Sequence, residues 1–200
     1  MNAEMQALYW RIQNNNDHSG QDAVSLLMPS DGSEPATLLP TEVSFCSRRS
    51  GRQDVDLKWS DDDSDLFLNL LERISNDDPS DDEGIVLDIN DGIVQGIVQL
   101  VALARFQTPW PTDELVAEDI NTVRDEVEVG DLVAVNSLYG YPMAIVVGMD
   151  SIDLTCVLLE DIEKDGLSIV PDHSVIILNR NSALPNTFAA SDTGEAEVFH

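Results

Sequence analysis

Hydrophobic positions between residues 128 and 178 recur in short runs, at 131–135, 143–147, 152–159 and 174–178, each rich in Val and Ile and bounded by Gly, Pro, Asn or Asp. Runs of about four to eight residues between turn residues predict strands. Gly130 and Asp131 lead into the first, residues 139–142 divide it from the second, 148–151 divide the second from the third, and 164–166 follow the third. About four or five such strands with no helix-length period between them predict a small closed or nearly closed barrel rather than a βαβ unit.

The earlier chain mixes both periods. Runs at 24–28, 37–39, 42–46 and 54–59, separated by 29–33, Pro40 and 48–52, predict further strands. In the last of them Val55, Leu57 and Trp59 alternate with Asp54, Asp56 and Lys58, the pattern of a strand with one wet face. Met5, Leu8, Tyr9 and Ile12 fall at helical spacing and predict a short amphipathic N-terminal helix, docked on the protein's own core or on a neighbouring subunit. Ser64 predicts the cap of a helix near 64–75, with Leu66, Phe67, Leu70, Leu71 and Ile74 on its apolar side and Asp61, Asp62, Asp63 and Asp65 at the favourable end of its dipole. A strand at 84–89 and a turn at 90–92 precede a second helix near 94–105, buried on more than one face, for which a second hairpin strand is the alternative. Residues 113–126 read as a short acidic helix or an extended entry to the barrel. The fold class expected is α+β, mainly β: a β-rich N-terminal part with one or two helices, followed by the small barrel. Its organisation is an N-terminal helix and polar linker (1–20), a β-rich domain (21–108), a barrel (112–180) and a polar tail (181–200), with the domain boundary at the Thr108-Pro-Trp-Pro111 break.

The stretches Val129-Gly-Asp-Leu-Val-Ala-Val135 and Gly140-Tyr-Pro-Met-Ala-Ile-Val-Val147 resemble, in their apolar spacing, the opening hairpin of SH3-like barrels. Many unrelated functions use that barrel, so the resemblance implies a fold and no activity.

Charge adds what the hydrophobic pattern does not hold. Thirty-eight acidic residues stand against ten basic ones, a net charge of −28, while 42% of the residues are hydrophobic. Only Lys58 and Lys164 are lysine. An acidic, lysine-poor and still hydrophobic chain resembles proteins of extreme halophiles, whose self-repulsion is screened over about 3 Å in 1 M salt. The other explanation is a surface made acidic to mimic DNA or to meet a basic partner. Direct nucleic-acid binding is disfavoured, because phosphate contacts need clustered Lys and Arg. Arg48, Arg49 and Arg52 are the one basic cluster, suited to carboxylates of this chain or a neighbour. The apolar runs are too short for a membrane span, and residues 1–20 lack the basic and apolar regions of a secretory signal, so a virion or cytoplasmic location is expected. Cys46 and Cys156 have no paired spacing and read as buried thiols.

Chemistry is sparse. There is no GxSxG, P-loop, HExxH or GxGxxG-helix motif, and His18, His173 and His200 lie in polar segments. Asp61, Asp63, Asp65 and Glu72 match ligand positions of an EF-hand loop, but Leu66 stands where its turn requires glycine. No catalytic residue, metal site or cofactor is expected beyond non-specific cations at the acidic surface. The expected function is a non-catalytic structural or assembly protein of a halophilic organism or its tailed virus, a head, connector or tail component that forms a homo-oligomer or contacts other structural proteins. An acidic DNA-mimic that occupies a basic DNA-binding protein is the alternative. Candidate partner-binding residues are Met5, Leu8, Tyr9 and Ile12, the three arginines, and Tyr139 and Tyr141; a peptide groove lined by these tyrosines and Trp110 is a weaker option.

Overall fold

The computed structural model describes residues 7–14, 21–29, 36–46, 53–75, 88–112, 114–117 and 127–190. It is α+β and mainly β, and divides into two compact units, Met1–Gln107 and Thr108–His200.

The first unit holds strands β1 (Tyr9–Asn14), β2 (Gln21–Met28), β3 (Thr37–Cys46) and β4 (Val55–Lys58) in an antiparallel sheet of order β3-β2-β1-β4, with helices α1 (Asp61–Ser75) and α2 (Gly92–Phe106). The helix expected at the start of the chain gives way, from Tyr9 onward, to β1. Ile12 fits both periods, but Trp10 and Ile12 are buried while Tyr9 and Arg11 are half-buried, a period of two. Pairing on both sides, Trp10 with Leu26 and with Leu57, satisfies the β1 backbone in a way a short isolated helix would not. Met5 lies outside the described residues, as do Arg48, Arg49 and Arg52, most of the strand expected at 84–89 and most of 113–126. Of that strand only Asp88 and Ile89 are described, and Ile89 and Asn90 form a turn.

Pro40, expected to separate two runs, sits inside β3. An edge strand tolerates its missing N–H, and the ladder is irregular just there, with Ala23 opposite Ser44 and Ser25 opposite Pro40. The bulge is satisfied locally. The Thr41 hydroxyl donates to the Val24 carbonyl at 2.7 Å, and the Glu42 N–H donates to Gln99 Oε1 of α2 at 2.9 Å.

Helix α1 begins one turn before the expected cap. Ser60 Oγ accepts from the Asp63 N–H at 3.1 Å and Asp63 Oδ2 accepts from the Ser60 N–H at 2.9 Å, a reciprocal capping box. Ser64 lies within the helix and donates to the Ser60 carbonyl at 3.2 Å. Asp61, Asp62 and Asp63 fill the first turn and Arg73 the last, each favoured by the dipole. Asp61, Asp63, Asp65 and Glu72 thus stand on helix and not on an ion-binding loop. Asp91 caps α2, accepting from the Ile93 N–H at 2.8 Å, and Val94, Ile97, Val98, Val101, Ala102 and Leu103 are buried, so α2 is covered on more than one face. Trp10 joins these elements: its ring centroid is 5.1 Å from Trp59 and 5.7 Å, edge-on, from Phe106, and Trp59 lies 5.8 Å from Phe67.

The second unit is barrel-like. Strands β5 (Leu132–Val135), β6 (Met143–Met149), β7 (Asp153–Leu158), β10 (Val175–Asn179) and β11 (Ala183–Pro185) form an antiparallel sheet of order β10-β7-β6-β5-β11, and β8 (Ile162–Lys164) pairs with β9 (Leu167–Val170) in a separate hairpin. A one-turn 3-10 helix (Arg180–Ser182) leads into β11, and α3 (Thr187–Ala190) follows it. The segment expected to be a tail from 181 therefore supplies a strand: Leu184 pairs with Ala134 and is buried. Trp110 bridges Ile176 of β10, and the Ala117 N–H donates to the Asn136 carbonyl just past β5, at 2.8 Å. Leu154, Leu158, Ile176 and Leu178 fill the core, each fully buried and worth about 1.5–3 kcal/mol against exposure. Cys156 lies among them as a buried thiol; the Cys46 side chain is outside those described.

Candidate interaction surface

The β5–β6 connection, residues 136–142, is short and tied down at nearly every residue. The Val135 N–H donates to the Pro142 carbonyl at 2.9 Å, and the Ser137 N–H to the Gly140 carbonyl at 3.2 Å. Ser137, itself buried, uses its hydroxyl twice, accepting from the Tyr139 N–H at 3.1 Å and donating to the Gly140 carbonyl at 2.8 Å. Gly140 closes the turn at φ 125°, where a side chain would be strained. Two further bonds anchor the loop to residues 115–117: the Leu138 N–H to the Leu115 carbonyl at 2.8 Å, and Asn136 Nδ2 to the Ala117 carbonyl at 3.0 Å.

On this fixed loop Tyr139 and Tyr141 are each 37% exposed and Leu138 is 61% exposed. Tyr141 packs at a tilt of 60° against Phe188 of α3, 5.9 Å between centroids. The ammonium of Lys164, the last residue of β8 before the β8–β9 turn, stands 5.2 Å from the Tyr139 centroid, a cation–π contact. That turn is tight because Asp165 and Gly166 both take positive φ, 54° and 76°. Glu160 keeps its carboxylate beside the loop, Oε2 accepting from the Met143 N–H at 3.1 Å. Two tyrosine rings thus stand on hydrogen-bonded backbone, one against the Lys164 ammonium and the other against Phe188.

The expected partner residues fare differently. Tyr139 and Tyr141 are brought together on this loop. Ile12, at 5% exposure, is buried, while Leu8 and Tyr9 are half-buried. Trp110 lies along β10, across the sheet order from β5, and does not share the loop. Phe188 and Lys164 were not among the expected residues; Lys164 carried a signal as one of only two lysines, whereas Phe188 reaches Tyr141 only through the β11–β5 pairing.

Three aspartates are held charged by the hydrogen bonds they accept. The Asp172 N–H, and after it the Ser168 hydroxyl, holds the Asp161 carboxyl below its ordinary value of 3.8. The N–H groups of Asp153 and then Ile152 do the same for Asp150, and in the first unit the Arg11 hydrogen bond does so for Asp56. A lowered folded pKa stabilises above the ordinary carboxylate range, and the stabilisation is lost as pH falls through the lowered values. Self-repulsion at −28 works in the other direction, relaxing as other carboxylates protonate. Thermal melts in about 0.1 M KCl are therefore expected to show stability rising from pH 7 to about pH 5 and falling below about pH 4. Asp161→Asn, which keeps an acceptor and removes the titration, is expected to flatten the acid limb; an unchanged limb would show that Asp161 does not contribute to it.

Among the described residues no helix is long and apolar enough to cross a membrane, and no group of three or more His, Cys, Asp or Glu side chains is placed to hold a metal ion. Fold and surface together define a mainly β protein of two units, the second presenting a rigid aromatic loop. No protein-family model matches the chain, and no curated protein matches it either.

Proposed function

We propose that the protein is a non-catalytic structural or assembly protein of a halophilic organism or its tailed virus, acting through protein–protein contacts. The observation that carries this reading is the loop at 136–142, whose hydrogen-bonded backbone holds Tyr139 and Tyr141 partly exposed, with Phe188 of α3 packed on Tyr141, in a chain that is otherwise strongly charged. Exposed aromatics on a fixed loop bind a partner with little entropy of ordering. The five-strand order in which the last strand returns beside the first, through a 3-10 turn, supports reading the second unit as an SH3-like barrel.

The distribution of charge supports solvent adaptation over a DNA-mimic face. The first unit carries 20 acidic residues against 7 basic and the second 18 against 3, so neither is the acidic one. A decoy needs its carboxylates in one stripe; here they occupy helix α1, β4 and the turns of both units.

Light-scattering mass and circular dichroism across a KCl series test the reading. The expected result is a gain of fold and a defined oligomer as KCl rises from about 0.1 M to about 2 M, where screening falls to a few ångströms. A folded monomer at low salt, indifferent to KCl and bound by basic DNA-binding proteins, would overturn it in favour of the DNA-mimic.

A further inference from the structure

We infer that two copies of this chain join through strand β4, antiparallel about a two-fold axis at Leu57, so that their first-unit sheets run on into one another. The inference rests on the assembly reading above and names the surface through which its oligomer forms. β4 lies at the margin of its sheet, with no other strand beyond it among the described residues. The Trp59 N–H donates to the Leu8 carbonyl at 2.9 Å, so the backbone groups of Trp59, and by alternation those of Leu57 and Val55, turn toward β1. Those of Asp56 and Lys58 therefore turn outward, as donors and acceptors that a further strand would pair. At the opposite margin β3 carries Pro40 and a bulge, so β4 is the regular edge and pairing there closes at two copies.

Charge complementarity selects the occupant and its register. Asp56 and Lys58 are exposed on one face of β4, where the Arg11 guanidinium holds both Asp56 oxygens at 2.8 Å. Outward backbone groups meet outward groups when the axis passes through Val55, Asp56 or Leu57. An axis at Val55 sets Asp56 against Asp54, and one at Asp56 sets the two Asp56 carboxylates face to face between the Asp54–Lys58 pairs, so both carry a like-charge contact. With the axis at Leu57 each Asp56 meets the other copy's Lys58, giving rows of alternating sign that begin at Arg11 and cross the junction. On the other face the half-buried Leu57 side chains meet each other, an apolar contact that screening by salt does not weaken.

The test is site-directed cross-linking of the full chain under copper–phenanthroline in about 1 M KCl, with light-scattering mass beside it. Facing residues at a non-hydrogen-bonded site lie about 4.5 Å apart between Cα atoms, within disulfide reach, so Leu57→Cys is expected to form a covalent dimer. Val55→Cys, on the same face but on the order of 13 Å from its copy, is expected to form none, and the parent chain is the blank for Cys46 and Cys156. Lys58→Glu, checked for an unchanged circular dichroism melt, is expected to raise the dimer dissociation constant about tenfold. Cross-linking by Val55→Cys as readily as by Leu57→Cys would overturn the inference, since it would report another register or chance collision. A defined oligomer that Leu57→Cys does not lock and Lys58→Glu does not weaken would also overturn it, with the assembly reading intact and the copies meeting elsewhere. No oligomer at any salt would remove both.

Discussion

Trp10→Ala is expected to lower folding stability by about 3–5 kcal/mol, the usual loss for a buried tryptophan. The side chain is 1% exposed in a central strand, with Trp59 and Phe106 against its faces and edge at 5.1 and 5.7 Å. Its removal opens a cavity that β1, paired on both sides, cannot close by shifting. Set against a typical total of about 5–15 kcal/mol, the loss is large enough to leave part of the population unfolded. Urea denaturation in about 2 M KCl, which limits charge repulsion, reads it directly. A change below about 1 kcal/mol would mean that the aromatic cluster is not the core of its unit.

Asp63→Ala is expected to be nearly as severe, about 2–4 kcal/mol, through two separate losses. The Ser60–Asp63 capping box contributes about 1 kcal/mol, and the buried Trp10 Nε1–H, which donates to Asp63 Oδ2 at 3.4 Å, is left without its acceptor at about 1–3 kcal/mol. The Arg105 contact adds little, because its Nε stands 4.0 Å from Asp63 Oδ1 and half of its side chain is exposed. Asp63→Asn keeps an acceptor and is expected to recover most of the loss. The same urea titration compares them, and an Asp63→Ala protein as stable as the parent would remove Asp63 from the capping role.

How far the sequence could be read follows the locality of each signal. The two long helices were legible because their apolar positions and capping residues lie within about fifteen residues of one another. Even so, Ser60 with Asp63 three positions on is the capping-box spacing, and Ser64 drew the reading one turn too late. The strands at 132–135, 143–149, 153–158 and 175–179 were marked by Gly, Pro and Asp turns, whereas β8, β9 and Ala183–Pro185 are too short to carry a pattern, and the last is a strand only because β5 lies beside it. Strand β1 was hidden by coincidence, since Leu8, Tyr9 and Ile12 fit helical spacing while the alternation of Trp10 and Ile12 needs β2 and β4 to give it meaning. The surface follows the same rule. Tyr139 and Tyr141 are near neighbours in sequence, but Phe188 and Lys164 join them through pairings that no local pattern encodes.

Pro40 leaves this chain with a means of staying apart from its own kind. In molar salt, which screens carboxylate repulsion and strengthens apolar association, net charge would be a weak guard against strands of neighbouring molecules zipping together. β3 is the longest strand among the described residues and lies at the sheet margin, where an unbroken row of amides would template such growth. It is interrupted instead: Pro40 has no donor to offer, the bulge bends the ladder beside it, and Gln99 occupies the Glu42 amide. These three interruptions are steric and directional, so they hold at any ionic strength.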